Sequence, residues 1–339
     1  MDPETAPSRL SPVQFRPVLK HYVWGGRRFE EFLGRSLPEG PTAESWEISD
    51  HPNGETPIAA GPWAGSLLRD LQRRYGPALV GARNLDALDR KCFPLLIKLL
   101  DANDWLSVQV HPADDFALEH EADRGKTEMW VVLHAEPDAE ILLGFDRLAD
   151  KQEFSRLAKA GETNRALHRV SARAGDVFFV PAGRIHAIGP GLVLAEIQQA
   201  SDVTYRVFDW NRSPTDDRPL HFEQALAVTD FSDVRPGPVE PVVLEEGARH
   251  RELLVECPYF RAERLRLRLP SEYGGRCNGA TFEIWGAISG QARLEWRDGG
   301  LDLTPVSWVL LPANLGSFKI RPVGENPAQL LRVLTPTSG

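Results

Sequence analysis

Along most of the chain, apolar side chains recur at every second position in short runs cut by glycine, proline and aspartate. WLSVQVH (105–111), TEMWVVLHA (127–135), AEILLGF (139–145), DVFFVPAG (176–183), GLVLAEIQQ (191–199) and VTYRVFDW (203–210) read as strands. Helical spacing, with apolar residues three or four apart, is confined to SLLRDLQRRYG (66–76), KQEFSRLAKA (151–160) and HFEQALAV (221–228). Turns at this density predict a mostly β protein built as sandwiches or barrels. DVRPGPVEPVV (233–243) packs three prolines into a linker-like stretch. Further strands follow it, including FRAERLRLRL, ATFEIWGAISG, QARLEWRD, SWVLLPANLGSFKIRP and QLLRVLTP. The expected division is therefore a domain over 1–232 that carries the chemistry and a second β barrel over 233–339 without metal ligands.

Composition narrows the class. A length of 339 residues suits two packed units at roughly 150 residues each. Hydrophobic content of 42% with 26% charged residues indicates neither disorder nor a membrane protein. No apolar run approaches the roughly 18 residues that span a bilayer, and the first fifteen residues lack the apolar core of a signal peptide. A net charge of −9 without a strongly basic patch argues against nucleic acid as a partner. Three scattered cysteines point to a reducing cytoplasm. The expected partner is a small molecule, with no membrane, for a monomer or small homo-oligomer.

The strand alternation also concentrates polar groups. Ser107, Gln109 and His111 share one face of their strand, and Lys126, Glu128 and Trp130 share one face of theirs. Polar side chains turned into an interior are costly unless something satisfies them. GDVFFVPAGRIH (175–186) adds His186 after a sharp Pro181–Gly183 turn. Gln109, His111, Glu128 and His186 then offer two imidazoles, a carboxylate and an amide oxygen. That set suits Zn2+ first, and manganese, iron or cobalt next, with a position left for water or substrate. Each residue also has a bland reading. A single buried histidine is more often hydrogen-bonded core, Arg206 could simply pair with Asp202 or Glu196, and Lys98 could snorkel out of PLLIKLL. The acids of ADDFALEHEAD, with Glu119 and His120, read as a solvated loop or short helix face. Glu47 and Asp50 read as structural, and His21, His51, His134, His168, His221 and His250 carry no predicted role.

GDVFFVPAGRIH resembles the second cupin motif, without the asparagine that often follows its histidine. QVH with the later Glu128 resembles a modified first motif, with glutamine in place of its first histidine. Together with YVWGG (22–26), ESWEISDHPNG (44–54), PLLIKLLDANDWLSVQVHP (94–112), GKTEMW (125–130) and AEIQQASDVTYRVFDWNR (195–212), the chain resembles the type I phosphomannose isomerase family, in its short bacterial branch. The resemblance is dense over roughly residues 17 to 230.

That resemblance implies two cupin-like, jelly-roll β barrels with a few short helices. It also implies interconversion of mannose 6-phosphate and fructose 6-phosphate through an enediolate, in carbohydrate metabolism. Gln109, His111, Glu128 and His186 fall on the family's zinc ligands and Arg206 on its active-site arginine. Glu196, Asp202 and Lys126 fall on positions for binding or proton transfer, with Asp202 slightly ahead of Glu196 as base. Lys98 and Ser107 fall on phosphate-binding positions. Longer relatives have a histidine, implicated in ring opening, where this chain has Gly125. Two rival readings are an iron-dependent cupin oxygenase and a sugar-phosphate-binding regulator without turnover.

Overall fold

The computed structural model describes residues 9–212 and 218–336. It is 39% strand and 15% helix, so the mostly β expectation holds, and every strand pairing within its sheets is antiparallel where the register is defined. The chain forms two compact units. The first is Leu19–Trp46 with Ile97–Val239, and the second is the chain up to Val18, Glu47–Leu96 and everything from Glu240. This differs from a single cut after residue 232. Backbone hydrogen bonds explain the interleaving: Val13 pairs with Leu310, and the amides of Ala82 and Arg83 donate to the carbonyls of Gly279 and Ala280.

The first unit has a six-stranded and a five-stranded sheet. The six strands lie in the order β1 (Val18–Lys20), β2 (Glu44–Ile48), β3 (Leu95–Ala102), β10 (Leu192–Gln199), β5 (Glu128–Ala135) and β8 (Val177–Val180). The five lie in the order β11 (Tyr205–Phe208), β4 (Val108–Val110), β9 (His186–Ile188), β6 (Glu140–Phe145) and β7 (Leu167–Ser171). Leu100, Trp130, Phe178 and Leu194 from the first sheet meet Ile141, Leu143 and Ile188 from the second in one apolar cluster, so the sheets face each other. Each large side chain buried there contributes about 1.5–3 kcal/mol. The opposite face of the five-stranded sheet, with Val108, Val110 and Tyr205, is covered by the helices Lys151–Lys159 and Phe222–Val228. Asp150 starts the first of these by accepting from the amides of Gln152 and Glu153. β3 is buried at all eight positions, so its two charges, Lys98 and Asp101, must be paired. Asp101 accepts from the backbone amide of Arg28 at 2.6 Å.

The second unit repeats the arrangement. Its larger sheet runs β12 (Val242–Glu245), β13 (Arg249–Glu256), β14 (Arg261–Leu267), β21 (Ala328–Leu334), β16 (Glu283–Ser289) and β19 (Trp308–Leu311). Its smaller sheet runs β15 (Tyr273–Cys277), β20 (Gly316–Val323), β17 (Gln291–Trp296) and β18 (Gly299–Leu303). Trp285, Val309 and Leu330 pack against Leu294, Leu303 and Ile320 between them. Among the described residues no helix is long and apolar enough to cross a membrane.

Candidate active site

Pairing in the five-stranded sheet sets three side chains in a row. Arg206 of β11 pairs with Gln109 of β4, which pairs with His186 of β9. His111 follows β4 directly, and Glu128 opens β5 in the facing sheet. After β8 the chain turns through Pro181 and Gly183, whose φ of +88° is the left-handed conformation glycine favours. The Gly183 amide donates to the His111 carbonyl at 2.9 Å, which ties that turn to the ligand strand. One donor atom from each of His111, Glu128 and His186 then lies within 4.8 Å of the others, and all three residues are buried.

Backbone carbonyls orient both imidazoles. His111 Nδ1 is 2.9 Å from the Val203 carbonyl and His186 Nδ1 is 3.0 Å from that of Arg184. A carbonyl only accepts, so each Nδ1 carries the proton and each Nε2 presents a lone pair. These Nε2 atoms stand 3.6 Å from opposite oxygens of Glu128. Burial, then the neighbouring His111, pushes His186 down to about 3, and burial followed by the Lys126 charge lowers His111. Both rings are neutral near pH 7 and able to coordinate. Gln109 Nε2 lies 3.2 Å from His186 Nε2 and donates to its lone pair; turning the amide over would bring the oxygen to that side, the orientation a cation would require.

Around this centre the buried charges alternate from Glu44 through Lys98, Glu196 and Lys126 to Glu128. Lys98 Nζ is 3.5 Å from Glu44 and 3.2 Å from Glu196, while Lys126 Nζ is 3.6 Å from Glu196 and 2.8 Å from Glu128. Three carboxylates thus share two ammonium groups. Glu128 Oε2 and Glu196 Oε1 are buried and lack a well-directed hydrogen bond, and each is met by an ammonium group, Lys126 Nζ at 2.8 Å and Lys98 Nζ at 3.2 Å. Burial pushes Glu128 up, but Lys126 and the two histidines outweigh it and hold the carboxyl well below its usual range. Burial, reinforced by the Glu128 charge, raises Glu196 to about 7 against the pull of Lys98 and Lys126. Burial works against the Lys98 ammonium, yet Glu196 and Glu44 prevail and its pKa is raised. Two imidazole lone pairs converging on a buried carboxylate fit a divalent ion, which Gln109, His111, Glu128 and His186 would hold.

All ten residues singled out from the sequence belong to this unit. Arg206 Nε donates to Ser107 Oγ at 3.2 Å, and Ser107 Oγ donates to Gln109 Oε1 at 3.1 Å. Arg206 Nη1 also donates to the Pro219 carbonyl at 3.1 Å. The charge of Asp202 acts on both Lys98 and Tyr22. Lys98 does not snorkel outward; it lies inside the charge run. Glu44 escaped sequence reasoning, which weighed Glu47 and Asp50 of the same segment. Its signal is the spacing Glu44–x–Trp46, because Trp46 Nε1 donates to Glu44 Oε2 at 2.7 Å. Trp130 does the same for Glu196 at 3.1 Å. Asp50 is structural, accepting from the Phe93 amide and Arg69. His120 stacks on Phe116 in the helix Asp114–His120. His221, without a predicted role, accepts from the Arg206 amide at 3.3 Å. At Gly125 a Cβ would stand 2.4 Å from the Asp114 amide nitrogen, so the backbone there excludes a histidine.

Comparison with known proteins agrees with this geometry. The family model of the type I phosphomannose isomerase catalytic domain matches residues 13–124. The mannose-6-phosphate isomerase ManA of Bacillus subtilis is 33% identical over 326 residues, 93% of this chain and 97% of the relative. The mannose-6-phosphate isomerase of Streptococcus mutans is 38% identical over 251 residues, 74% of this chain and 77% of the relative. The crystal structure of the mannose 6-phosphate isomerase from Bacillus subtilis superposes with a TM-score of 0.85 at 30% identity, covering 96% of this chain and 99% of that one. On these similarities, taken with the buried ligand set, the chain belongs to the type I phosphomannose isomerase family.

Proposed function

We propose that the buried centre of the first unit interconverts mannose 6-phosphate and fructose 6-phosphate through an enediolate. The observation that carries the reading is the convergence of the buried His111 and His186 lone pairs on Glu128. Gln109, His111, Glu128 and His186 would hold a divalent ion, Zn2+ first among them. When bound, such an ion supplies Lewis-acid stabilisation of negative oxygen.

The chain's own groups divide the remaining work. Arg206, steadied by Ser107 and the Pro219 carbonyl, presents a guanidinium to the negative oxygen that develops as the proton leaves carbon, a charge absent from the neutral sugar. Glu196, at about 7, matches the pH at which it must both take and return a proton. That match, with its place between two ammonium groups, puts Glu196 ahead of Asp202 as the base. Lys126, between Glu196 and Glu128, holds the base carboxylate in position. For the phosphate, Ser107 beside Arg206 is better placed than Lys98, whose charge already neutralises Glu44 and Glu196. Residue 125 offers no ring-opening acid, so that proton comes from another group.

The reading extends to architecture and setting. In each unit eight successive strands alternate between sheets in the order of a jelly roll, β3–β10–β5–β8 against β4–β9–β6–β7 and the matching set in the second unit, which supports two cupin-type folds. Three free thiols suit a reducing cytoplasm. The deciding experiment is a coupled assay for fructose 6-phosphate before and after chelation. Activity lost to the chelator and restored by zinc supports the reading; a metal-replete protein without turnover sinks it.

A further inference from the structure

The second unit carries a counterpart of the metal centre, and its contents differ. Adding eleven to each strand number of the first unit reproduces both sheet orders of the second, apart from the extra edge strand β11. Register then identifies equivalent residues. Glu128 opens β5 opposite Val180, the last residue of β8 before Pro181; Glu283 opens β16 opposite Leu311, the last residue of β19 before Pro312. Two residues later, Trp130 faces Glu196 of β10, and Trp285 faces Arg332 of β21. Glu283 therefore stands where Glu128 stands, and an arginine stands where the first unit has Glu196. β15 and β20, the counterparts of β4 and β9, contain no histidine.

Arg332 is the centre of this second cluster. Its Nε donates to Glu283 Oε2 at 2.9 Å and its Nη2 to Glu283 Oε1 at 2.5 Å, a two-pronged bond. Nη1 reaches Glu263 Oε2 at 3.3 Å, and Arg261 Nε fills Glu263 Oε1 at 2.8 Å. Trp285 Nε1 adds a bond to Glu283 at 2.9 Å. The guanidinium carbon lies 5.7 Å from the Tyr273 ring centre and 5.9 Å from that of Trp285. All four carboxylate oxygens of Glu263 and Glu283 thus accept a directed hydrogen bond, whereas Glu128 Oε2 and Glu196 Oε1 meet only the ammonium groups of Lys126 and Lys98.

We propose that the second unit is a cation site of the same design whose cation is built in: the Arg332 guanidinium, held by Glu283 and Glu263 beside two aromatic rings, takes the place of an exchangeable ion. The site's ligand class is accordingly a planar guanidinium, and it excludes a divalent ion while Arg332 is present. Removing the side chain in Arg332→Ala leaves a receptor of that shape, open to guanidinium from solution.

Thermal unfolding of the full chain tests this. Arg332→Ala lowers Tm by roughly 6–20 °C, because it strands buried carboxylates. Low millimolar guanidinium chloride restores about half of that loss, while sodium chloride or urea at equal concentration does not. Elemental analysis finds one divalent ion per chain in both proteins. Recovery no better than with sodium chloride, or a second ion in the wild-type chain that disappears in Glu283→Gln, overturns the proposal. Should Arg332→Ala fail to fold, the paired change Glu283→Gln with Arg332→Met removes both charges at once. That pair must be more stable than Glu283→Gln alone; equal or lower stability overturns the proposal as well.

Discussion

One strand order, used twice, meets the same burial problem with opposite outcomes. Glu283 finds both oxygens bound by an arginine of its own chain, while Glu128 faces two neutral imidazoles, with the Lys126 ammonium 2.8 Å from one of its oxygens. A site whose charges are closed by its own side chains is stable and inert. A site built from two imidazole lone pairs and a carboxylate leaves its donors available, and in the proposed reading an external ion takes them up. Catalysis needs the second condition, because an ion with an open position can meet a substrate oxygen and a buried guanidinium locked on two carboxylates cannot.

The sharpest way to break the contrast is His186→Ala. It removes one of two converging lone pairs, so metal content falls together with kcat, by roughly a thousandfold or more. Elemental analysis beside the coupled assay checks both, and retained metal would move the centre elsewhere. Arg206→Ala comes next: kcat falls about 10²–10³-fold while the ion stays. Loss of the ion in this variant would make Arg206 a structural support for Gln109. Lys98→Met has a smaller effect, about tenfold. A fall confined to kcat supports its place between Glu44 and Glu196, and a rise confined to KM returns it to the phosphate.

The remaining effect is on pH. In the proposed mechanism the carboxylate form of Glu196 serves as base and is lost as pH drops through about 7, so kcat/KM is expected to decline by about tenfold per pH unit on the acid side. A bound divalent ion draws the carboxyl lower and moves that limb toward acid. Glu196→Gln abolishes the limb along with most of the turnover. A wild-type profile flat down to the range of an ordinary carboxylate would favour Asp202.

Legibility followed the physics of alternation. Ser107, Gln109 and His111 on one face, and Glu128 on another, follow from the period of a strand with one polar side. His186 follows from a proline and a glycine that fix a turn. Where a strand is buried on both faces, alternation says nothing: β2 and β3 are buried at every position, so the pattern does not single out Glu44 and leaves Lys98 open between a phosphate-binding position and an outward one. Arg332 hides for another reason. It pairs with Glu263 across β14 and β21 and with Glu283 of β16, and no local pattern announces a partner so far along the chain. The same long-range pairing explains the interleaved units, since Val13 and Ala82 join sheets whose strands lie beyond residue 240. Residue 125 is a case of backbone deciding chemistry, its amide bound to Asp114 and its Cβ space filled by main chain.

The most direct measurement is anomalous diffraction from crystals of the full chain grown with zinc. One strong peak within bonding distance of Gln109, His111, Glu128 and His186, and none beside Glu283 and Arg332, is the predicted outcome. A peak at the second position, or none at the first in a protein that turns over substrate, would contradict the account.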